Sequence, residues 1–324
     1  MEGKSRRAFQ DLSDEEIQGL VESLNSLHEG ELGVAMLVAC GERAIQPLRR
    51  FLLHGKPTGI FVPRQRAVRA LAELRAKDVL LEYLVFERHI ADPVAAYGEE
   101  GVRNTAARAL APWHTDDVYE GLLRGLRRRR LPGLIETIGE FGRPESVPDL
   151  VAALEDDFCR SSAEDALRKI GEAAHSVMIE AARTPDPSGA SESASSRGRR
   201  RCALRLLRGL HLSLEDWQKL AALLQDRDAE IAARAGSIAL AVADEPDKRR
   251  AVRCVIHLLS KADWLLQGEI QSWLVEHLDI AQASINEEIE RRQAAPVAAQ
   301  SKDNVLRLLL RIRNEVQKPA PDAL

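Results

Sequence analysis

Val102-Arg-Asn-Thr-Ala-Ala-Arg-Ala-Leu110 sets an arginine at 103, a small residue at 106 and a leucine at 110. The same types return at the same places along the chain. Leu110 has counterparts at Leu37, Leu71, Ile138, Leu167, Leu207 and Leu240, separated in order by 34, 39, 28, 29, 40 and 33 residues. Four positions before these landmarks stand Gly33, Ala67, Ala106, Ala163, Ala203 and Gly236, with Leu134 as the exception. Residues four apart share one helix face, so the small residue lets a neighbouring helix approach while the landmark fills the gap. A period of this size is the signature of stacked helical repeats. The expected fold is all-α, an α-α superhelix (solenoid) with N- and C-terminal capping helices.

Composition fits that reading. Hydrophobic residues make up 45 % and charged residues 30 % of 324 residues, far from a disordered composition. A single compact core rarely grows past about 250–300 residues, and a repeat stack escapes that limit because each unit touches only its neighbours. No uninterrupted apolar run reaches the ~18 residues of a membrane span. Met1 to Arg7 has no apolar secretory stretch, so a cytoplasmic, non-membrane protein is expected. Cys40, Cys159, Cys202 and Cys254 lie far apart, at neither zinc nor redox spacing, and read as inert core thiols.

The repeats read as helix pairs. Gly30 to Cys40 is followed by Gly41 and a second helix, Ala44 to Leu53; Pro132 to Phe141 is followed by Gly142 and Glu145 to Glu155. Pro47 and Pro148 each fall six residues after the glycine, in a first turn where the missing N–H has no helical partner. Ser13 with Glu16 and Ser213 with Asp216 have the spacing of capping boxes. The expected organisation is an N-terminal capping helix in 1–29 (Ile17, Leu20, Val21, Leu24), five repeats in 30–183, a Ser/Gly/Pro linker in 184–198, two repeats in 199–262, a helical cap in 263–317 and a mobile tail in 318–324. Glu87 to Gly98 reads as an inserted loop, and such loops often carry function. The C-terminal cap should end on a helix starting at Ser301, with Val305, Leu308, Leu309, Ile312 and Val316 on one stripe.

Two sets of arginines stand out. Arg64, Arg103, Arg160 and Arg200 lie seven residues before a landmark, near a helix N-terminus where a cation opposes the macrodipole. They are either a ladder of polar contacts between adjacent repeats or a basic ligand-binding stripe. The second set is Arg124 with Arg127, Arg128, Arg129 and Arg130. Cations suit a helix C-terminus, but that accounts for one or two of the five. The set is therefore the candidate binding site, suited to an acidic protein segment or a phosphate-rich ligand.

The strings Val102–Leu110, Gly142-Arg-Pro-Glu-Ser-Val-Pro-Asp-Leu-Val-Ala-Ala-Leu154 and Cys159-Arg-Ser-Ser-Ala-Glu-Asp-Ala-Leu-Arg-Lys-Ile-Gly171 resemble HEAT repeats of the phycobilisome-lyase-like type. The likeness covers 30–183, extends more loosely over 199–260 and fades past Trp264. It implies a protein-binding scaffold, although some similar proteins are enzymes. Deoxyhypusine hydroxylase has a similar architecture and uses several His-Glu pairs to hold a di-iron centre; this chain has that dipeptide only at His28-Glu29, and its histidines do not recur at one repeat position. Bilin lyases look similar at the repeat level but offer no short motif to match. HEAT-like alkylpurine DNA glycosylases need a basic groove. Here 46 basic residues face 50 acidic ones, net −4, and Glu145, Asp149, Glu155, Asp156 and Asp157 interrupt any positive track. The resulting expectation is a non-enzymatic scaffold without metal or cofactor, binding a protein partner that carries an acidic segment. A nucleic-acid-binding repeat protein is the alternative and a bilin lyase a weaker third.

Overall fold

A computed structural model describes residues 12–186, 191–296, 300 and 303–315. It is all-helical, with 76 % helix and no strand among the described residues. The expected mobile tail 318–324, Val316 of the C-terminal stripe, Ser301 and the first eleven residues of the N-terminal cap lie outside the described residues. The chain forms two compact units, 1–170 and 171–324.

The first unit runs α1 (Asp14–Ser23), α2 (Gly30–Ala39), α3 (Ile45–His54), α4 (Val62–Glu73), α5 (Lys77–Val85), α6 (Pro93–Ala109), α7 (Asp116–Arg128), α8 (Pro132–Phe141), α9 (Val147–Ala153) and α10 (Arg160–Ile170). Helices that begin a pair pack on one another in succession, α2 on α4, α4 on α6, α6 on α8 and α8 on α10. Helices that end a pair do the same from α3 to α5 and from α5 to α7. Alternation of this kind follows from the landmark spacing. Leu37, Leu71, Leu110 and Ile138 are fully buried, as are Ala67 and Ala106 four residues before two of them. At the N-terminal side, α1 packs on α2 and α3, and Ile17, Val21 and Leu24 are buried. Its capping box is complete, Ser13 accepting from the Glu16 N–H and Glu16 from the Ser13 N–H.

The second unit runs α11 (His175–Arg183), α12 (Ala194–Leu207), α13 (Leu214–Leu220), α14 (Ala229–Val242), α15 (Glu245–Leu258), α16 (Trp264–Glu276), α17 (Leu278–Gln293) and α18 (Asn304–Glu315). Here α12 packs on α14 and α14 on α16, while α11 meets α13 and α15 meets α17. Leu207 and Leu240 are buried, and the second capping box, Ser213 with Asp216, is complete. In α18, Val305, Leu309 and Ile312 are buried, and the helix packs on α16 and α17.

A left-handed residue closes several first helices at one repeat position. Gly41, Gly142 and Gly171 have φ of 67°, 62° and 65°, and each stands four residues after a landmark. Arg75 occupies the same position after Leu71 with φ 58°. Glycine takes this conformation freely, whereas a Cβ crowds the following carbonyl.

Two expectations need correction. Residues 184–198 are not all linker: α12 begins at Ala194, with the Ser193 hydroxyl accepting from the Ser196 N–H. Ser193 caps that helix, and Ser196 inside it is buried. Residues 187–190 lie outside the described residues. The units also divide between Ile170 and Gly171, so the whole 184–198 stretch belongs to the second unit. Nor is Glu87 to Gly98 all loop. Asp92 caps α6 through the Val94 N–H and Pro93 opens it, so the extra residues lengthen α6 to 17 residues, against 10 for α2.

Candidate functional site

The repeat arginines explain how a cation is tolerated near a helix N-terminus: each turns back to cap the carbonyl end of the preceding helix. Arg64 donates to Phe51 O at 3.0 Å and Leu52 O at 2.6 Å, at the end of α3. Arg160 donates to Leu154 O at 2.8 Å, and in the second unit Arg200 donates to Ala182 O at 2.9 Å. Arg103 reaches Phe86 O at 2.9 Å, just past α5. Of the two readings, the ladder holds for Arg64, whose guanidinium also pairs with Glu99 of α6 at 2.9 Å, both groups buried. The Tyr83 hydroxyl donates to the same carboxylate at 2.8 Å.

Arg103 departs from the series. Arg64 has Glu99, Arg160 has Asp157, and Arg200 has both Glu192 and Asp226. Among the described residues, no carboxylate pairs with Arg103. The residue is 8 % exposed, and its Nε–H has no hydrogen-bond partner. Arg64 and Glu99 neutralise one another, so the Arg103 charge is left over.

Arg103 borders a cavity of about 380 Å³ in the first unit, whose rim brings in Arg88, His89, Arg128 and Arg129 and whose apolar wall includes Leu84, Leu131 and Leu134. Arg88 is oriented by the neutral carbonyls of Gly55, at 2.6 Å, and Leu53. Arg128 donates to Val85 O at 2.7 Å and lies 3.3 Å from the exposed Glu87 carboxylate. Arg129 pairs with Glu100 at 2.8 Å. Four guanidiniums thus face two carboxylates, leaving two positive charges beside an apolar wall.

The arginine set read from sequence is divided by the structure. Arg128 and Arg129 reach the cavity. Arg127 is turned to Asp149 at 3.0 Å, and that carboxylate holds its pKa above the usual arginine value. Arg124 lies along its own helix with Nε 3.4 Å from Glu120 O, and Arg130 is exposed; neither lines the cavity. Sequence reasoning missed Arg88, His89 and Arg103 as site residues. The signals were present separately, Arg88 and His89 in the irregular Glu87–Gly98 stretch and Arg103 among the repeat arginines, but nothing in the spacing shows that they converge.

Elsewhere in the first unit three large apolar side chains are open to solvent. Ile60, Val94 and Tyr97 are 72 %, 65 % and 67 % exposed, and Gly59 approaches Val94 so closely that a Cβ there would lie 2.7 Å from Val94 Cγ1.

Elsewhere, no group of three or more His, Cys, Asp or Glu side chains among the described residues is arranged to hold a metal ion. The cysteines are unbridged, with Cys40, Cys159 and Cys202 buried. Burial, aided by Asp156, pushes the Cys159 thiol up to about 12, away from thiolate chemistry. No described helix is long and apolar enough to cross a membrane.

Comparison with known proteins assigns no relative: no protein-family model matches the chain, and no curated protein matches it.

Proposed function

We propose that this protein is a non-enzymatic, cytoplasmic α-solenoid of HEAT-like repeats that binds a protein partner through an acidic segment, without a cofactor. The repeat reading is supported by buried landmarks in every repeat, by the shared left-handed position after four of them and by the succession of first-helix contacts within each unit. The observation that carries the binding function is the convergence of Arg88, Arg103, Arg128 and Arg129 on one cavity; the same unit also exposes Ile60, Val94 and Tyr97. Charge complementarity steers and orients a partner, while apolar anchors hold it. The partner segment therefore combines acidic and large apolar residues.

The test is calorimetric titration of the full chain with an amphipathic acidic peptide at several salt concentrations. Binding should weaken in Arg88→Gln and in Tyr97→Ala, and when the same pair is mixed by stopped flow, added salt should chiefly slow association. Tight binding of duplex DNA at physiological salt, with a dissociation constant below about 10⁻⁷ M where non-specific complexes lie near 10⁻⁴–10⁻⁶ M, would instead select the nucleic-acid reading.

A further inference from the structure

We infer that the cavity beside Arg103 is a phosphomonoester site, and that the acidic group it takes from the partner is a phosphorylated side chain. This rests on the protein-binding reading above and narrows it.

Charge and shape both separate a phosphoryl dianion from a carboxylate. Around the cavity, Arg88, Arg103, Arg128 and Arg129 are offset only by Glu87 and Glu100, which leaves two positive charges. A phosphomonoester carries about −1.5 to −2 at neutral pH, whereas a carboxylate would leave one charge uncompensated. A carboxylate is also planar and best met by one guanidinium fork. Here the guanidiniums come from separate elements: Arg103 on α6, Arg128 at the end of α7, and Arg88 and Arg129 in the loops after α5 and α7. Donors spread in this way suit the oxygens of a tetrahedral group.

The burial of Arg103 supplies an independent observation. A desolvated cation without a counter-charge is costly. At the same repeat position Arg64 and Arg200 are also buried, and each has a carboxylate. Arg103 has Phe86 O, the face of the Tyr83 ring 5.9 Å away and an unpartnered Nε–H, none of them a carboxylate, so the counter-charge is left for a ligand to bring. The apolar wall of Leu84, Leu131 and Leu134 accommodates the stem that carries the phosphoryl group. A nucleic-acid diester bears one charge per phosphate and is flanked by chain on both sides. It does not match the two-charge excess.

The probes are acetyl-Gly-Gly-phosphoserine-Gly-Gly-amide, the same peptide with Ser or with Glu in place of phosphoserine, free O-phosphoserine and a single-stranded oligonucleotide, each titrated into the full chain at low salt. The phosphopeptide should bind at least about tenfold more tightly than the Glu peptide, and the Ser peptide should not bind. Arg103→Gln and, separately, Arg88→Gln should each weaken phosphopeptide binding about tenfold or more, while Arg124→Gln leaves it unchanged. Arg88 contacts the Leu53 and Gly55 carbonyls and the Phe86 ring and provides a second reading should Arg103→Gln fold poorly. Equal, Arg88-dependent binding of the Glu and phosphoserine peptides would overturn the phosphoryl inference while leaving the acidic-segment reading standing. Binding of free O-phosphoserine that is lost in the peptide would assign the cavity to a small phosphate ester. Failure of every anion, or binding indifferent to Arg88 and Arg103, would overturn both readings. An oligonucleotide that binds more tightly than the phosphopeptide and depends on Arg103 would do so in favour of nucleic acid.

Discussion

Leu110 is fully buried at the C-cap of α6, and truncating such a residue removes apolar contact and leaves a cavity. Leu110→Ala is expected to cost about 2–5 kcal/mol in urea unfolding; a change under about 0.5 would mean that the landmark does not serve the core. Gly142 isolates a backbone effect. A Cβ there would meet nothing within 4 Å, yet φ is 62°, so Gly142→Ala should lose about 1 kcal/mol through the left-handed conformation alone. Burial likewise decides what an ion pair is worth. Glu99→Ala strands the buried Arg64 guanidinium and should cost about 3–5 kcal/mol. Glu136→Ala breaks the half-exposed pair with Arg108 and should cost under about 1. At this scale the sequence is legible for apolar residues, because burial follows spacing. It is silent for arginines, because Arg64 and Arg103 occupy one repeat position and yet differ in whether a carboxylate pairs with them and in how many carbonyls they hold.

Elements were legible where a cap or a glycine punctuates the period and obscure where polar residues serve a helix. Gly41 and Gly142 mark real stops, and Ser13 and Ser213 mark real starts. The Ser-rich run before α12 looked like linker because capping and linking draw on the same small polar residues, and only the position of the Ser193 hydroxyl separates the two roles. The extension of α6 was hidden by Asp92 and Pro93, read as loop residues but acting as N-cap and first helical position. One tie between elements has a pH signature. The Lys77 ammonium at the start of α5 donates to Asp117 in the first turn of α7 at 2.6 Å, and this bond, with the Thr115 hydroxyl, holds the Asp117 carboxyl down to about 2. A carboxylate whose pKa falls on folding stabilises the fold above its unfolded value, near 3.9. That contribution is lost as pH drops through about 2. Asp117→Asn should therefore unfold at lower urea than the parent at pH 6, with the gap closing towards pH 2. A gap that persists unchanged would show that the charge is not what links α5 to α7.

For the molecule as a whole, the division at Ile170 and Gly171 sets the cooperativity question. Where helices pack mainly on near neighbours in the chain, as here, separate stretches can melt at separate denaturant concentrations. The tryptophans allow a direct reading. Trp113 lies in the first unit, and Trp217, Trp264 and Trp273 lie in the second, where Trp217 and Trp273 are buried. In a Trp113→Phe chain, fluorescence reports the second unit alone while far-ultraviolet ellipticity reports helices of both. The two urea transitions are expected to differ in midpoint. Ligand linkage then identifies which transition belongs to which unit, because anything that binds only the folded form stabilises it by mass action. The arginine cavity lies wholly within the first unit, so the phosphoserine peptide should raise the ellipticity midpoint and leave the fluorescence midpoint in place. Were both to move together, the units would be unfolding as one. Were neither to move at saturating peptide, the cavity would not be where the peptide binds.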